Sequence, residues 1–158
     1  VESKLGREPL HRWISMLLVA ESRDGTGVRN ELIKSSLFRG RLCELIGDQI
    51  RGPACPGVPM ASTLFLMGLF SRIDILLKIR MEELVKKVDL SEITTNALLW
   101  RSGKGGEILT AVEAFEDGEW EVADRVLAEL GFDSGEIMNL YLESLAWARD
   151  RMSPSQED

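Results

Sequence analysis

The stretch Ala61-Ser62-Thr63-Leu64-Phe65-Leu66-Met67-Gly68-Leu69-Phe70-Ser71-Arg72-Ile73-Asp74-Ile75-Leu76-Leu77-Lys78-Ile79 decides the fold class. Drawn as a helix, it is apolar around most of its circumference, so it reads as a central helix buried on nearly all sides. The polar residues Ser71, Asp74 and Lys78 fall on a shared face. These three interruptions, with Arg72, make the apolar run from Leu64 too short and too charged to span a bilayer.

The chain around this helix reads as further helices joined by turns. Upstream, the segment Arg51-Gly52-Pro53-Ala54-Cys55-Pro56-Gly57-Val58-Pro59 holds three prolines and two glycines in nine residues, so it is a loop. Before it, Val28, Leu32, Phe38, Leu42, Leu45, Ile46 and Gln49 lie near one stripe of a long amphipathic helix beginning after Gly27, with Arg39, Arg41 and Glu44 left to the wet side. Earlier still, Pro9 starts a helix carrying Leu10, Trp13, Ile14, Leu17 and Leu18 up to the Asp24-Gly25 break.

Downstream, a short helix over Met81 to Val88 precedes Asp89-Leu90-Ser91-Glu92, where Asp89 and Glu92 have capping-box spacing for a helix bearing Ile93, Ala97, Leu98 and Trp100. Gly103-Lys104-Gly105-Gly106 reads as a turn before a helix from Glu107 to Glu116, and Asp117-Gly118 as the next turn. A helix with Trp120, Val122, Val126, Leu127 and Leu130 ends at Gly131, and Asp133 with Glu136 opens a last one through Ile137, Leu140, Tyr141, Leu145 and Ala146. No segment alternates with period two. The expectation is an all-α bundle of about eight helices. It forms one domain over residues 1–152, with a polar tail at 153–158.

Composition narrows the function classes. At 158 residues the chain has the size of one domain with a real core. A net charge of −7 disfavours nucleic acid as a partner. Two cysteines, Cys43 and Cys55, without metal-ligand or disulfide-rich spacing, fit a reducing compartment and hence the cytoplasm. Cys43 reads as inert packing on a helix, and Cys55, in the proline-rich loop, as the more exposed thiol. The chain opens on Val1 in mid-pattern, as a piece of a longer protein would.

Catalytic constellations are sparse. The single histidine, His11, has no carboxylate or cysteine at ligand spacing, so neither a transition-metal hydrolase site nor a nucleophile-base pair is built around it. Ser102-Gly103-Lys104-Gly105-Gly106 lacks the Walker spacing and follows a helix rather than a strand, although the first amides of the next helix offer an anion some hydrogen bonds. The run Glu113 to Glu121 lacks the ligand pattern of a calcium loop and reads as a solvated turn. Trp100 and Trp120 border turns and are candidate anchors for a partner, against the commoner fate of core packing.

Several stretches together resemble the HDOD domain, a relative of the HD phosphohydrolases, in the version found alongside EAL domains in bacterial cyclic-di-GMP signalling proteins. They are Leu5-Gly6 with Leu10-His11-Arg12-Trp13, Leu37 to Glu44, Leu64 to Asp74, Met81-Glu82-Glu83-Leu84, Ala114 to Trp120 and Tyr141 to Ala148. Departures are His11 where the family usually has a basic residue, and Phe115 and Glu119 in place of its usual tyrosine and aspartate. The resemblance implies the carboxy-terminal portion of such a domain, without the family's amino-terminal helices. HD-type relatives carry a His-Asp metal dyad after a Gly-Leu-Leu-like segment. Here Gly68-Leu69-Phe70 leads into Ser71-Arg72, and a guanidinium cannot ligate a divalent ion.

The resemblance therefore implies a signal-transduction output or scaffold module with no catalytic, cofactor-binding or metal-ligating residues. It would act through a protein partner or an attached sensory, EAL or receiver domain, with no membrane or nucleic-acid partner and with self-association open. The competing expectation is a remnant metal-dependent phosphohydrolase or nucleotide-binding domain that uses the Gly103 to Gly106 segment and the carboxylates between Glu113 and Asp124.

Overall fold

A computed structural model of the chain describes residues 27–88 and 90–152. Among them the regular structure is helical: α1 (Gly27–Ile50), α2 (Ala61–Phe70), α3 (Ile73–Leu77), α4 (Met81–Val88), α5 (Glu92–Trp100), α6 (Gly103–Glu116), α7 (Trp120–Glu129) and α8 (Ser134–Met152). Seven run to eight residues or more, and α3 is a single five-residue turn. A lone antiparallel bridge, Gly52 to Cys55, closes the proline-rich loop. The all-α bundle expected from the sequence is the observed architecture. The first expected helix, with His11, lies outside the described residues, as do Asp89 and the tail at 153–158.

The core forms where α1 crosses α2. Phe38, Leu42, Cys43 and Ile46 recur at helical spacing on α1 and are buried, facing Leu64, Phe65, Met67 and Leu69 of α2. Each large side chain removed from water in this way contributes roughly 1.5–3 kcal/mol. The two backbones touch: a Cβ on Gly68 would run into the Arg39 carbonyl, and one on Gly40 would lie 2.9 Å from the Phe65 carbonyl oxygen. Helix α8 lies along α1, with Tyr141 edge-on to Phe38 at 5.1 Å, and α6 and α7 close the bundle. No helix among the described residues is long and apolar enough to cross a membrane.

Four local expectations are corrected. The central helix does not run unbroken from Ala61 to Ile79, because it stops at Phe70 and restarts at Ile73. The Ser71 hydroxyl donates to the Gly68 carbonyl at 3.0 Å, and Arg72, at φ −129° and ψ 16°, leaves helical geometry as its side chain reaches for α6. Lys78, at φ 56°, then ends α3 by donating its N–H to the Asp74 carbonyl. On α1, Arg39 and Glu44 are buried rather than wet, and Arg41 is half-buried.

The cap of α5 is Ser91, not Asp89: its hydroxyl oxygen accepts the Thr94 N–H at 3.3 Å, which makes Glu92 the first residue of the helix. The Gly103 to Gly106 segment is likewise no turn. It is the first turn of α6, while Arg101, left-handed at φ 53°, and Ser102 make the corner. Gly131, at φ 82°, follows α7 as the left-handed cap expected of it. Asp133 Oδ1 accepts the Gly135 N–H at 2.9 Å at the start of α8.

Candidate functional site

The break at Ser71-Arg72 is the centre of a charged network between α1, α5 and α6. Three guanidiniums, of Arg39, Arg72 and Arg101, meet three carboxylates, of Glu113, Glu116 and Asp117. Glu113 and Glu116 on the last turn of α6 and Asp117, its C-cap, stand at i, i+3 and i+4, so near-helical geometry places them on one face. Charges of one sign so close together require countercharge, and all three cations come from elsewhere in the chain.

Arg39 is the deepest member, 3% exposed, and spends all three guanidinium nitrogens. Its Nε donates to Ser71 Oγ at 3.0 Å, Nη1 to both carboxylate oxygens of Glu116 at 2.8 and 3.0 Å, and Nη2 to Ser36 Oγ at 3.1 Å. Arg101 holds Glu113 with two prongs, Nε to Oε1 at 2.7 Å and Nη2 to Oε2 at 3.0 Å. Its Nη1 caps the end of α5 by donating to the carbonyls of Ala97 and Leu98. Each guanidinium therefore does two jobs, neutralising a carboxylate and satisfying the backbone or a hydroxyl.

Arg72 touches all three acids. Its Nη1 and Nη2 reach the two oxygens of Asp117 at 3.0 and 2.7 Å, its Nε lies 3.4 Å from Glu113 Oε2, and Nη1 lies 3.6 Å from Glu116 Oε2. The hydrogen bond from Arg72 is the main reason the Asp117 carboxyl is held below the usual carboxylate range. Reciprocally, that bond and the three negative charges raise the guanidinium's already high proton affinity.

A divalent ion does not fit these groups. The carboxylate oxygens that would ligate it are accepting from guanidiniums, and the cation at their centre is Arg72 itself. Among the described residues no three His, Cys, Asp or Glu side chains are arranged to hold a metal ion.

Two curated proteins are similar to the chain. One is the uncharacterized protein YuxH of Bacillus subtilis (strain 168), 32% identical over 149 residues, which are 94% of this chain and 34% of that protein. The other is the cyclic di-GMP phosphodiesterase CdgJ of Vibrio cholerae serotype O1, 30% identical over 146 residues, which are 92% of this chain and 32% of that protein. The chain thus spans about a third of the length of the curated relatives it matches. No protein-family model matches it. No solved structure matches it.

The stretch aligned with YuxH and CdgJ takes in nearly all of the chain, so it includes most or all of the network. Of the residues singled out in the sequence, Ser71 is buried and Arg72 half-buried at the network's centre. Trp100 and Trp120 flank it, the first beside Arg101 and the second three residues past Asp117, and both are out of the core at 73% and 53% exposure. Gly105 and Gly106 are buried against Met67 and the Arg101 backbone, so their lack of side chains serves close packing. Cys43 is buried, and that burial pushes its thiol up, leaving little thiolate, while Cys55 is half-buried.

The sequence leaves Arg39 to the wet side and does not single out Arg101, and it offers Glu113 and Glu116 only to the metal-dependent alternative, not as countercharges of buried guanidiniums. Reading the acidic run as a solvated turn is right for Glu119 and Glu121, which are exposed, and wrong for Glu113 and Glu116. The signal available was the i, i+3, i+4 spacing of the acids, which demands cations that only the tertiary fold supplies.

Proposed function

We propose that this chain is a helical output or scaffold module of the HDOD type that works through protein contacts rather than catalysis, within a cyclic-di-GMP-linked or two-component signalling protein of the cytoplasm. One observation carries the reading: at Ser71-Arg72, where HD-type relatives hold metal, a guanidinium sits among Glu113, Glu116 and Asp117 and takes the place a catalytic cation would need. The similarity to CdgJ supports the link to cyclic-di-GMP signalling. The reading gives the aligned third a role other than phosphodiester cleavage. Exposed Trp100 and Trp120 beside the network support a contact role, since tryptophans dominate binding hot spots.

The experiment is calorimetric titration of the purified chain with manganese, magnesium and cyclic di-GMP, together with a phosphodiester turnover assay. No heat and no turnover are expected. Divalent-ion binding that Arg72→Ala strengthens and Glu113→Gln abolishes, or turnover that survives exhaustive purification, overturns the reading in favour of a remnant phosphohydrolase.

A further inference from the structure

One residue separates α2 from α3. Ser71, at φ −56° and ψ −30°, continues the right-handed path past Phe70, and α3 resumes at Ile73, so Arg72 alone, at φ −129° and ψ 16°, leaves it. A sharp break in a helix traces to proline, to glycine, or to a group inserted into its ladder of hydrogen bonds. From Leu69 to Leu77 there is neither proline nor glycine. The residues on both sides of the joint suit one continuous helix from Ala61 to Leu77, so what interrupts it comes from side chains.

Two side chains hold the joint apart. In an unbroken helix the Gly68 carbonyl accepts the Arg72 N–H. Here it accepts the Ser71 hydroxyl instead, at 3.0 Å. That hydroxyl is fixed from inside the bundle by Arg39 Nε at 3.0 Å. From outside, Arg72 is drawn to the two oxygens of Asp117, the C-cap of α6, at 3.0 and 2.7 Å. The inner hold is buried, with Arg39 3% and Ser71 5% exposed, whereas the outer pair is 27% and 43% exposed. The outer hold is therefore the one that solvent and partners reach.

We propose that this joint is a two-state hinge: the Arg72–Asp117 fork favours the broken form, and its release lets Arg72 enter helical geometry, so that α2 and α3 merge. Merging returns the Gly68 carbonyl to the Arg72 N–H and swings α3, with α4 beyond Lys78, against the rest of the bundle. Each form has something in its favour, as a switch requires. The broken form keeps Ile73 in the core, 1% exposed, and the continuous form gains main-chain bonds across the joint. A cation of a partner that takes Asp117 from Arg72 works the hinge from outside, and only for that trigger does the inference rest on the contact-module reading above.

The test is solution NMR of the full chain, reading the Cα shifts of Ser71 to Ile73 and hydrogen exchange at the Asp74 amide. Asp74 lies in the first turn of α3, where an N–H has no partner within its own helix, and a continuous helix bonds it to the Phe70 carbonyl. Arg72→Ala and Arg72→Gly remove the fork equally. Both leave Glu113 to Arg101 and Glu116 to Arg39, so the bundle keeps its inner pairs. The two variants differ in helix preference by about fivefold, alanine favouring the continuous form and glycine the broken one.

The alanine variant is expected to show Cα shifts moved toward helical values and Asp74 exchange slower than in the glycine variant by about threefold or more. Asp117→Ala, which keeps Arg72, is expected to move the same signals the same way to a smaller extent. Coincident shifts and exchange in the alanine and glycine variants overturn the inference, since packing would then fix the break. So do random-coil shifts with faster exchange in both, because the joint would unravel rather than merge, and so does an Asp117→Ala protein whose signals stay in place. None of these outcomes bears on metal binding or turnover, so the hinge and the non-catalytic reading fall separately.

Discussion

Arg72 holds Asp117 as a fork holds a bar, Nη1 to Oδ1 at 3.0 Å and Nη2 to Oδ2 at 2.7 Å, and so ties the break between α2 and α3 to the end of α6. The pair is partly exposed, at 27% and 43%, so screening limits its worth to under about 1 kcal/mol. Because the folded-state pKa of Asp117 is depressed, its contribution is fully present above the unfolded carboxylate value of about 4 and is lost as pH falls through the folded value. Thermal melts of the wild type and Asp117→Asn are expected to differ by a constant amount from neutral pH down to about 4 and to converge below it. A difference that grows toward acid pH contradicts the assignment.

Arg39 is a different case, buried and triply bound to Ser36, Ser71 and Glu116. Arg39→Met is expected to cost roughly 3 kcal/mol in urea unfolding, since it leaves the half-buried Glu116 carboxylate only its longer contact to Arg72 and takes a donor from two buried hydroxyls. Arg39→Lys keeps the charge but cannot reach three partners in a plane, so it recovers only part of the loss. If Arg39→Met unfolds within about 0.5 kcal/mol of the wild type, the network is not structural.

The same residue marks the boundary of what the sequence conveys. Helices α1, α4 and α8 were legible because apolar periodicity and flanking glycines or carboxylates act within a few residues of the elements they define. A periodic pattern sorts residues by type and so leaves Arg39 in water, whereas its burial depends on Ser71 and Glu116, 32 and 77 positions away. The break at Ser71-Arg72 was hidden by an apolar run that continues through it. Its cause is likewise distant, in the pull of Arg39 and α6 on the two polar side chains. Asp89 and Ser91 are both competent caps, and a spacing rule chose between them where the geometry of Ser91 with Thr94 decides. At the site, Ser71 and Arg72 were legible as a departure from an expected dyad, and the countercharges around them were not.

Gly106 separates the two readings of the glycine-rich segment. Inside a helix, alanine is favoured over glycine by about 1 kcal/mol, so propensity alone makes Gly106→Ala stabilising. A Cβ there, however, would collide with the backbone carbon and oxygen of Arg101, the residue whose left-handed corner aims its guanidinium at Glu113. Backbone cannot yield as a side chain can, and the collision is expected to outweigh propensity, giving a net loss of about 2 kcal/mol or more in urea unfolding. Gly52→Ala, where a Cβ would meet nothing within 4 Å, serves as the neutral control. A stabilised Gly106→Ala would mean that α5 and α6 are not packed this closely, and the positioning of Arg101 over Glu113 would fall with it.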